Sequence, residues 1–423
     1  MRSSTPWFAT GAFALAFMSC PRTVPSVSTV PVAPAGVLAT WAAPGSADTV
    51  RVLNGGYGSA IARHPKHGDR FFLLTDRGPN YATATEEGVA FPKPDFAPQI
   101  GLFVLQGDSL VRQGVITLKD AQCRPLTGLP LPAGRPGATG EVGYAVDGTP
   151  LPADTNGVDT EGLVANADGS FWVSDEYGPY LFRVNAEGCT TKRLTAGAGL
   201  PRVAAKRRVN RGFEGLTSPD GGKTLVAMFQ APLDNPKAAG RASRLARILV
   251  VEPTGATRQY AYLLEDKGFG VSDILWMGGS RYLVLERDGK WIGDSTAVKR
   301  FYAIDLKDAT DLSDPADGAT GRLVDGKTLE ELTAGAADPA AALAAAGLRP
   351  VSKVLALDIV QAAPGYHHDK LEGATRVSSN TVAIINDDDF GVTEADGGLG
   401  TKHAPGSSTP DRNELLLLRV PRP

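Results

Sequence analysis

The sequence lacks a large excess of charge of either sign, since 43 lysines and arginines face 46 aspartates and glutamates and the formal net charge is −3. A protein that binds nucleic acid through bulk basicity needs a basic surplus, and a disordered acidic tail needs an acidic one, so both classes are excluded. There is no G-x-S-x-G motif, so an α/β serine hydrolase has no support. Beyond the N-terminal leader, no stretch reaches the ~20 apolar residues of a transmembrane helix.

Methionine is scarce, with 4 residues, whereas glycine and proline are frequent, with 49 and 31. Together with many valines and threonines, this composition favours strands and turns over long helices. Hydrophobic residues make up 42% of the chain, which is enough for a substantial core. Cysteine is scarce too: outside the leader only Cys123 and Cys189 remain, and in an oxidising compartment they either pair or stay independent thiols.

The N-terminus resembles an export signal, because Arg2 precedes a short apolar stretch. That stretch ends in FMSC, which resembles a bacterial lipoprotein signal, so residues 1–20 are predicted to be a signal peptide with a lipid-modified Cys20. The alternative is an ordinary secreted protein that loses Cys20 with its leader. Residues 21–36, rich in proline, serine and threonine, are predicted to be an extended tether. The expected location is therefore the cell envelope, by a lipid anchor, or the periplasm or exterior.

One pattern recurs five times along the chain: a turn separates a first strand from a strongly apolar second strand, and most copies carry acidic residues at both ends of this hairpin. The apolar second strands are FFLLT, FWVSD, TLVAM, YLVLE and TVAII, beginning at residues 71, 171, 224, 282 and 381. Third strands follow at 101–106, 180–185, 247–253, 300–306 and 414–420. Fourth strands are predicted at 110–118, 190–195, 257–265 and 351–359.

Successive strands separated by turn residues are typical of an all-β fold of the β-propeller type, with one four-stranded sheet per blade. Five repeats are counted, and six or seven blades stay open. Because the chain ends after a third strand, the ring is predicted to close by pairing of N- and C-terminal strands, with 37–54 supplying the missing one. Residues 37–423 are predicted to form one monomeric domain with inserts at about 119–158 and 308–350, the second containing a short alanine-rich helix. A β-sandwich or irregular all-β fold is the alternative.

The acidic residues of the repeat are expected to converge, because the start of a first strand lies beside the end of the second strand in an antiparallel hairpin. First strands line the channel of a propeller, so one mouth of the channel should collect these side chains. The predicted metal ligands are Asp76, Glu161, Asp175, Glu176, Glu214, Asp273, Glu286, Glu372, Asp387 and Asp388, with Asp288 and Asp389 beside them. Oxygen ligands without cysteine or histidine at coordinating spacing favour a hard cation, and Ca²⁺ is the predicted cofactor.

Cationic side chains interleaved with these acids would bind phosphate or carboxylate oxygens next to the Ca²⁺ ion. This combination predicts metal-assisted hydrolysis of a phosphate ester or carboxylic ester, with a small anionic or ester substrate as the partner and no nucleic acid. His368 precedes these residues at the mouth and is a candidate general acid or base. The predicted catalytic residues are Glu161, Glu214, Glu372, Arg77, Arg211, Arg287, Lys370 and His368.

Several of these segments resemble the phytase-like domain family, which is also described as having the esterase-like activity of phytase. They are DRGPN at 76–80, DTEGL at 159–163, WVSDEYGPYLFRV at 172–184, NRGFEGL at 210–216, KLEGA at 370–374 and INDDDFG at 385–391. The resemblance runs from about residue 50 to the C-terminus and implies ester or phosphoester hydrolysis on a calcium-binding propeller. Two other functions stay open: a Ca²⁺-dependent lactonase or sugar-ester hydrolase, and a non-catalytic binding or scaffold protein of the envelope.

Overall fold

A computed structural model describes residues 27–33, 35–43, 45, 48–85 and 87–421. The chain is mostly β, with 43% strand and 8% helix. The predicted signal peptide at 1–20, with its Cys20, and the first residues of the predicted tether lie outside the described residues. Among the described residues, no helix is both long enough and apolar enough to cross a membrane.

Five antiparallel sheets follow one another along the chain, and their strands confirm the predicted second, third and fourth strands to within a few residues. Sheet 1 contains Ala60–Arg63, Arg70–Leu74, Gln99–Gln106 and Ser109–Thr117; sheet 2 contains Thr160–Ala165, Phe171–Asp175, Tyr180–Val184 and Thr190–Ala196, with the short strand Gly199–Leu200 at its edge. Sheet 3 contains Phe213–Thr217, Leu225–Phe229, Leu245–Val251 and Thr257–Leu263; sheet 4 contains Gly270–Gly278, Arg281–Arg287, Lys299–Asp305 and Ser352–Asp358. Sheet 5 contains Leu371–Arg376, Thr381–Asn386, Glu414–Arg419 and, from the start of the chain, Ser28–Pro31.

The N-terminal strand completes the last sheet, as the sequence predicts, but a different segment supplies it. Ser28–Pro31 pairs with the third strand of sheet 5, whereas the expected segment 37–54 forms a separate hairpin of Val37–Ala42 and Thr49–Leu53. Val30 is the buried residue of the true edge strand, and it packs in the core between sheets 5 and 1. The prediction that 21–36 is a tether is therefore wrong for residues 28–31, which belong to the sheet.

The five first strands contact one another in the cyclic order of sheets 1, 2, 3, 4, 5 and back to 1, so the sheets radiate from a common centre. Glycine makes the close approach possible. A Cβ on Gly215 would lie 2.6 Å from the backbone nitrogen of Ile274 in the next first strand. A Cβ on Gly373 would likewise lie 2.8 Å from the backbone of Ala60 in sheet 1.

A hydrophobic cluster fills each of the five gaps between neighbouring sheets, including the gap between sheets 5 and 1. In that last gap, Val30, Ile385 and Leu415 from sheet 5 pack with Ile61 and Leu73 from sheet 1. Full burial of one such aliphatic side chain contributes about 1.5–3 kcal/mol. The first and last sheets are thus joined by the same kind of apolar packing as any other neighbouring pair.

The predicted insert at 119–158 lies between sheets 1 and 2. Its strand Val142–Tyr144 joins Tyr81–Ala82 and Gly88–Ala90 in a small sheet. A disulfide between Cys123 and Cys189 links the insert to the hairpin that ends sheet 2, so the two thiols left open by the sequence are paired.

The predicted insert at 308–350 lies between the third and fourth strands of sheet 4. It contains the short hairpin Leu323–Val324 and Lys327–Thr328 and the helices Leu329–Thr333 and Pro339–Ala345, the latter being the predicted alanine-rich helix. A fully buried ion pair, Arg247 to Glu330 at 2.7 Å, ties the insert to sheet 3. The remaining elements are the helices Lys237–Ala242 and Ile359–Ala362, the 3-10 turns Arg202–Lys206 and Asp389–Gly391, and the hairpin Val392–Ala395 with Gly398–Thr401.

The packing of first strands predicts that Gly215→Ala destabilises the protein, because the new Cβ would overlap the backbone of sheet 4. Overpacking of this kind costs about 1–3 kcal/mol. Gly114→Ala is a matched control in an outer strand, where no heavy atom lies within 4 Å of the added Cβ. Differential scanning calorimetry should show a lower melting temperature for Gly215→Ala alone, and equal melting temperatures for the two variants would contradict the close approach of the strands.

Candidate functional site

A β-bulge lies near the start of four of the five first strands, just where the repeat carries its leading acids. A bulge inserts an extra residue and changes the direction of its side chain. In each of these strands the side chain at the bulge lines one common cavity. The residues concerned are Glu161, Glu214, Ser272 and Glu372.

The second strand of each sheet contributes at least one further side chain to the same cavity, from a position at or just past the strand's end. Consecutive residues of a strand point to opposite faces, so the residue before it within the strand faces away from the cavity. These second-strand residues are Asp76, Glu176, Gln230, Arg287 and Asp387. Every sheet therefore presents at least one polar side chain to the centre.

The cavity has a volume of about 310 Å³ and is rich in charge of both signs. The acidic side chains that line it are Asp76, Asp159, Glu161, Glu176, Glu214, Asp288, Glu372, Asp387 and Asp389, and the cationic ones are Arg77, Arg211, Arg287 and Lys370. The structure thus brings together ten of the predicted site residues, namely Asp76, Arg77, Glu161, Glu176, Arg211, Glu214, Arg287, Lys370, Glu372 and Asp387. The predicted convergence of acids and bases at one end of the first strands is observed.

Asp273, predicted as a metal ligand, does not reach the cavity. The repeat in sheet 4 is displaced by one residue, so Ser272 occupies the bulge and Asp273 the position held elsewhere by glycine. Its carboxylate accepts hydrogen bonds from the backbone nitrogens of Ala374 and Ile274, both at 2.7 Å. Burial nevertheless raises the pKa of Asp273 well above its usual value. The side chain joins two first strands, and its prediction as a ligand is corrected.

Asp175 and Asp388 are also predicted ligands that do not line the cavity: Asp175 ends its strand just before Glu176, and Asp388 caps the 3-10 turn that follows Asp387. Asp175 accepts from the backbone nitrogens of Asp159 at 2.7 Å and Gly178 at 2.8 Å. Asp388 accepts from the backbone nitrogen of Gly56 at 2.8 Å, among others. Burial raises the pKa of Asp175 to about 7 and that of Asp388 to about 6. Both carboxylates therefore stabilise the backbone through hydrogen bonds and do not face the cavity.

Glu286 is the last predicted ligand that lies away from the cavity. It is fully buried on the opposite face of its strand, where it accepts a hydrogen bond from the Tyr262 hydroxyl at 2.6 Å. Lys353 from the outermost strand of the same sheet neutralises it at 2.8 Å. The neighbouring residue Arg287 is the one that faces the cavity, as strand alternation requires.

Three carboxylates in the cavity are close enough to share one cation. One oxygen from each of Asp159, Glu161 and Glu176 lies within 4.8 Å of the others, and these residues are only 3%, 8% and 8% exposed. In the described part of the chain no group donates a hydrogen bond to the carboxylates of Glu161 and Glu176. Burial and neighbouring acids raise the pKa values of both well above the usual range. Such a set suits a hard cation, which would relieve the repulsion that otherwise favours protonation.

Asp159 was absent from the predicted ligands, although it begins the DTEGL segment. It lies two residues before Glu161, just as Lys370 lies two residues before Glu372, so the lining position could have been found by aligning those two copies. Its carboxylate accepts a hydrogen bond from the backbone nitrogen of Arg77 at 3.2 Å. Burial raises the pKa of Asp159, even though Arg77 opposes the effect.

Two of the four cationic side chains are held by fixed partners among the residues that line or adjoin the cavity. Arg77 donates to Glu141 and to the Tyr177 hydroxyl, both at 3.0 Å. Arg287 pairs with Glu372 and donates to Ser272 at 2.8 Å. Glu141 comes from the insert at 119–158, which carried no signal for a site in the sequence.

Lys370 is the third cation, and it belongs to a buried chain of charges. It contacts Asp389 at 2.5 Å and Asp387 at 3.4 Å, and Lys402 contacts Asp389 from behind at 2.7 Å. Burial alone would raise the pKa of Asp389, but the two lysines hold it below its usual value. The guanidinium of Arg211, the fourth cation, has no hydrogen-bond or ion-pair partner among the residues that the structure describes.

His368 lies outside the cavity, so its prediction as a catalytic acid or base is corrected. Its Nδ1 is 2.8 Å from Asp411 and its Nε2 is 3.3 Å from Glu414. Burial would lower the pKa of His368, but hydrogen bonds to the two carboxylates raise it to about 9. The buried imidazole is therefore positively charged at neutral pH and pairs with two carboxylates outside the cavity.

This all-β chain with its charged cavity also matches a known protein family. Residues 53–390 match the phytase-like family, described as "Esterase-like activity of phytase". The chain belongs to this family, as the sequence motifs predict.

Individual relatives are more distant or match over short segments. A secreted protein of Arthroderma benhamiae, itself uncharacterized, is 34% identical over 134 residues, and the match spans 25% of this chain and 26% of that protein. Among solved structures, the periplasmic gluconolactonase of Pseudomonas aeruginosa is 12% identical with a TM-score of 0.35, covering 94% of this chain and 100% of its own. The PQQ-bound aldose sugar dehydrogenase of Streptomyces coelicolor is 12% identical with a TM-score of 0.32, covering 94% and 99%. At these levels neither structure indicates which reaction this chain catalyses.

The raised pKa of His368 predicts a pH-dependent contribution to stability. A group whose pKa rises from 6.5 to about 9 on folding stabilises the protein fully below pH 6.5. That contribution, about 3 kcal/mol, is lost as the pH rises through 9. Urea unfolding should therefore show a large deficit for His368→Gln at pH 6 and a much smaller one at pH 9.5. The exposed His403→Gln is the control, and a deficit for His368→Gln that is the same at both pH values would contradict the assignment.

Proposed function

We propose that this chain is a Ca²⁺-dependent hydrolase that cleaves a phosphate ester or carboxylic ester in the charged cavity. The observation that carries the proposal is the set of three buried carboxylates, Asp159, Glu161 and Glu176, next to cationic side chains in one cavity. Two of them, Glu161 and Glu176, accept no hydrogen bond from any described residue, so a cation is their natural partner, and the cavity offers anion-binding groups beside it. Membership of the phytase-like family supports ester hydrolysis.

The proposed ligands of the ion are Asp159, Glu161 and Glu176. A Ca²⁺ ion bound there would supply a Lewis acid for the ester oxygen and a position for the attacking water. Glu214 is 3% exposed, and no described residue donates a hydrogen bond to its carboxylate. Burial, then the charges of Glu176 and Glu372, raise its pKa well above the usual value. A carboxyl with a raised pKa beside the reacting group can take up and return a proton near neutral pH, and we assign this role to Glu214.

The cations of the cavity favour an ester with negative charge over a neutral lactone. For the lactonase alternative, carboxylates and one histidine would suffice, but in the described part of the chain no histidine lines the cavity. Four cationic side chains do line it, which suits a phosphate or carboxylate group. The lactonase and the non-catalytic binding protein are therefore the competing outcomes of the test.

The proposal includes a five-bladed propeller as the scaffold. The cyclic contacts of the five first strands and the apolar cluster in each of five gaps support this blade number. We propose further that the domain is an exported monomer. The predicted signal peptide at 1–20 and the secreted relative support export, and the lipid anchor at Cys20 is the proposed membrane attachment.

A substrate panel tests the reaction. The purified chain is assayed with phytate, p-nitrophenyl phosphate, p-nitrophenyl butyrate and a lactone, each with Ca²⁺ or with a chelator. Calcium-dependent hydrolysis of one ester supports the proposal, and lactone turnover alone would support the lactonase. No hydrolysis of any compound would leave the binding protein as the better description.

The cation site predicts that Ca²⁺ stabilises the folded chain. An ion that binds only the native state adds about 2.7 kcal/mol at a hundredfold excess over Kd. The double variant Glu161→Gln with Glu176→Gln should lose this calcium effect. Because the variant no longer buries two unpaired charges, its melting temperature in chelator should be no lower than that of the unmodified chain. The exposed Glu187→Gln serves as the control.

Thermal unfolding in calcium and in chelator, followed by circular dichroism, measures the effect. If the chelator changes neither the melting temperature nor the activity of the unmodified chain, the metal part of the proposal is wrong. A double variant that keeps the full calcium effect would instead place the ion elsewhere.

A further inference from the structure

The four cations of the cavity differ in how far their hydrogen-bonding capacity is used. Arg77 and Arg287 form ion pairs with Glu141 and Glu372, and Lys370 lies between two aspartates. These three side chains are engaged by carboxylates that line or adjoin the cavity, and they fix the positions of those carboxylates. Arg211 has no such partner among the described residues, so its five N–H donors are available to a ligand.

The local backbone presents Arg211 to the cavity. A tight turn precedes the first strand of sheet 3: the backbone nitrogen of Arg211 donates to the carbonyl of Arg208 at 3.0 Å, and Asn210 has a φ of 52°. The guanidinium then lies beside Gly270, with Nη1 3.5 Å from the position that a Cβ on that glycine would occupy. The glycine has no side chain to cover the guanidinium, and Arg211 is only partly buried.

Arg211 also stands next to the proposed cation site. Both side chains line the cavity, and the residue after Arg211, Gly212, packs against Glu176: a Cβ on Gly212 would lie 2.8 Å from the Cα of Glu176. The Arg211 guanidinium and the Glu176 carboxylate are not hydrogen-bonded to each other. An anion that completes the coordination of a cation at Glu176 would therefore lie within reach of the guanidinium, which binds two oxygens of a phosphate through a fixed fork of N–H groups.

We propose that Arg211 binds the anionic oxygens of the substrate and that the substrate class is the phosphate monoester. This inference rests on the proposed function and narrows it. Arg77, Arg287 and Lys370 are positioning residues in this scheme, because their donors are already used by carboxylates of the wall. Arg211 therefore separates phosphate monoesters from neutral esters of similar size.

The test compares Arg211→Ala and Arg211→Lys with the unmodified chain in calcium, using p-nitrophenyl phosphate and p-nitrophenyl butyrate. Loss of a bidentate charged contact should raise KM for the phosphate ester about 10- to 100-fold in Arg211→Ala, with a smaller rise in Arg211→Lys. Neutral-ester hydrolysis should fall much less than phosphate-ester hydrolysis, and calcium should still raise the melting temperature of both variants. Arg202→Ala is the control, because this exposed arginine lies on the Arg202–Lys206 turn with only a surface ion pair at 3.8 Å.

Binding of inorganic phosphate, measured by calorimetry in calcium, separates this inference from the hydrolase proposal. If the unmodified chain binds phosphate and Arg211→Ala does not, Arg211 is the anion-binding residue of the cavity even when the hydrolase proposal fails. Equal phosphate binding by both, or no binding by the unmodified chain, overturns it. So does an equal loss of phosphate-ester and neutral-ester turnover in Arg211→Ala, although the hydrolase proposal would then stand.

Discussion

Close contact between first strands at the centre of the molecule is the constraint on which the rest of the structure depends. In sheets 2, 3 and 5 a glycine follows the bulged glutamate directly, and a Cβ there would lie under 3 Å from the neighbouring strand or its side chains. The bulge and the glycine act together. The bulge turns the glutamate into the cavity, and the glycine lets the next strand approach, so the E-G pair of the repeat sets both the packing and the site.

This packing places many carboxylates where water cannot screen them. Burial and mutual repulsion raise the pKa values of Asp76, Glu161, Glu176, Glu214 and Asp387 well above the usual range. A stable protein has two ways to relieve such repulsion, which are protonation and cations. Arg287 and Lys370 already form ion pairs with carboxylates on one side of the cavity. In the described part of the chain Glu161 and Glu176 form no ion pair, which is the physical reason for expecting a metal ion on their side.

Much of this arrangement can be predicted from one sequence, because strand alternation and hairpin geometry are local rules. They locate the strands and bring Glu161, Glu214 and Glu372 to one cavity. They fail where a single residue decides the outcome: the bulge at Ser272 shifts the repeat by one place, so Asp273 was assigned to the wrong face. The edge strand at 28–31 depends on long-range packing of Val30 and was equally out of reach.

Neighbouring acidic residues in this sequence divide their roles, through strand alternation at 175–176 and through the turn into the 3-10 helix at 387–389. In Asp175-Glu176 the first carboxylate binds backbone nitrogens and the second lines the cavity. In the run 387–389 the outer two residues line the cavity, whereas Asp388 binds backbone nitrogens of the N-terminal arm and of the segment before the last strand. The carboxylates that position the backbone are thus neighbours of those that form the site. A one-residue shift of register at the end of the strand Phe171–Asp175 would exchange the two roles there, so that strand end must be held as firmly as the cavity itself.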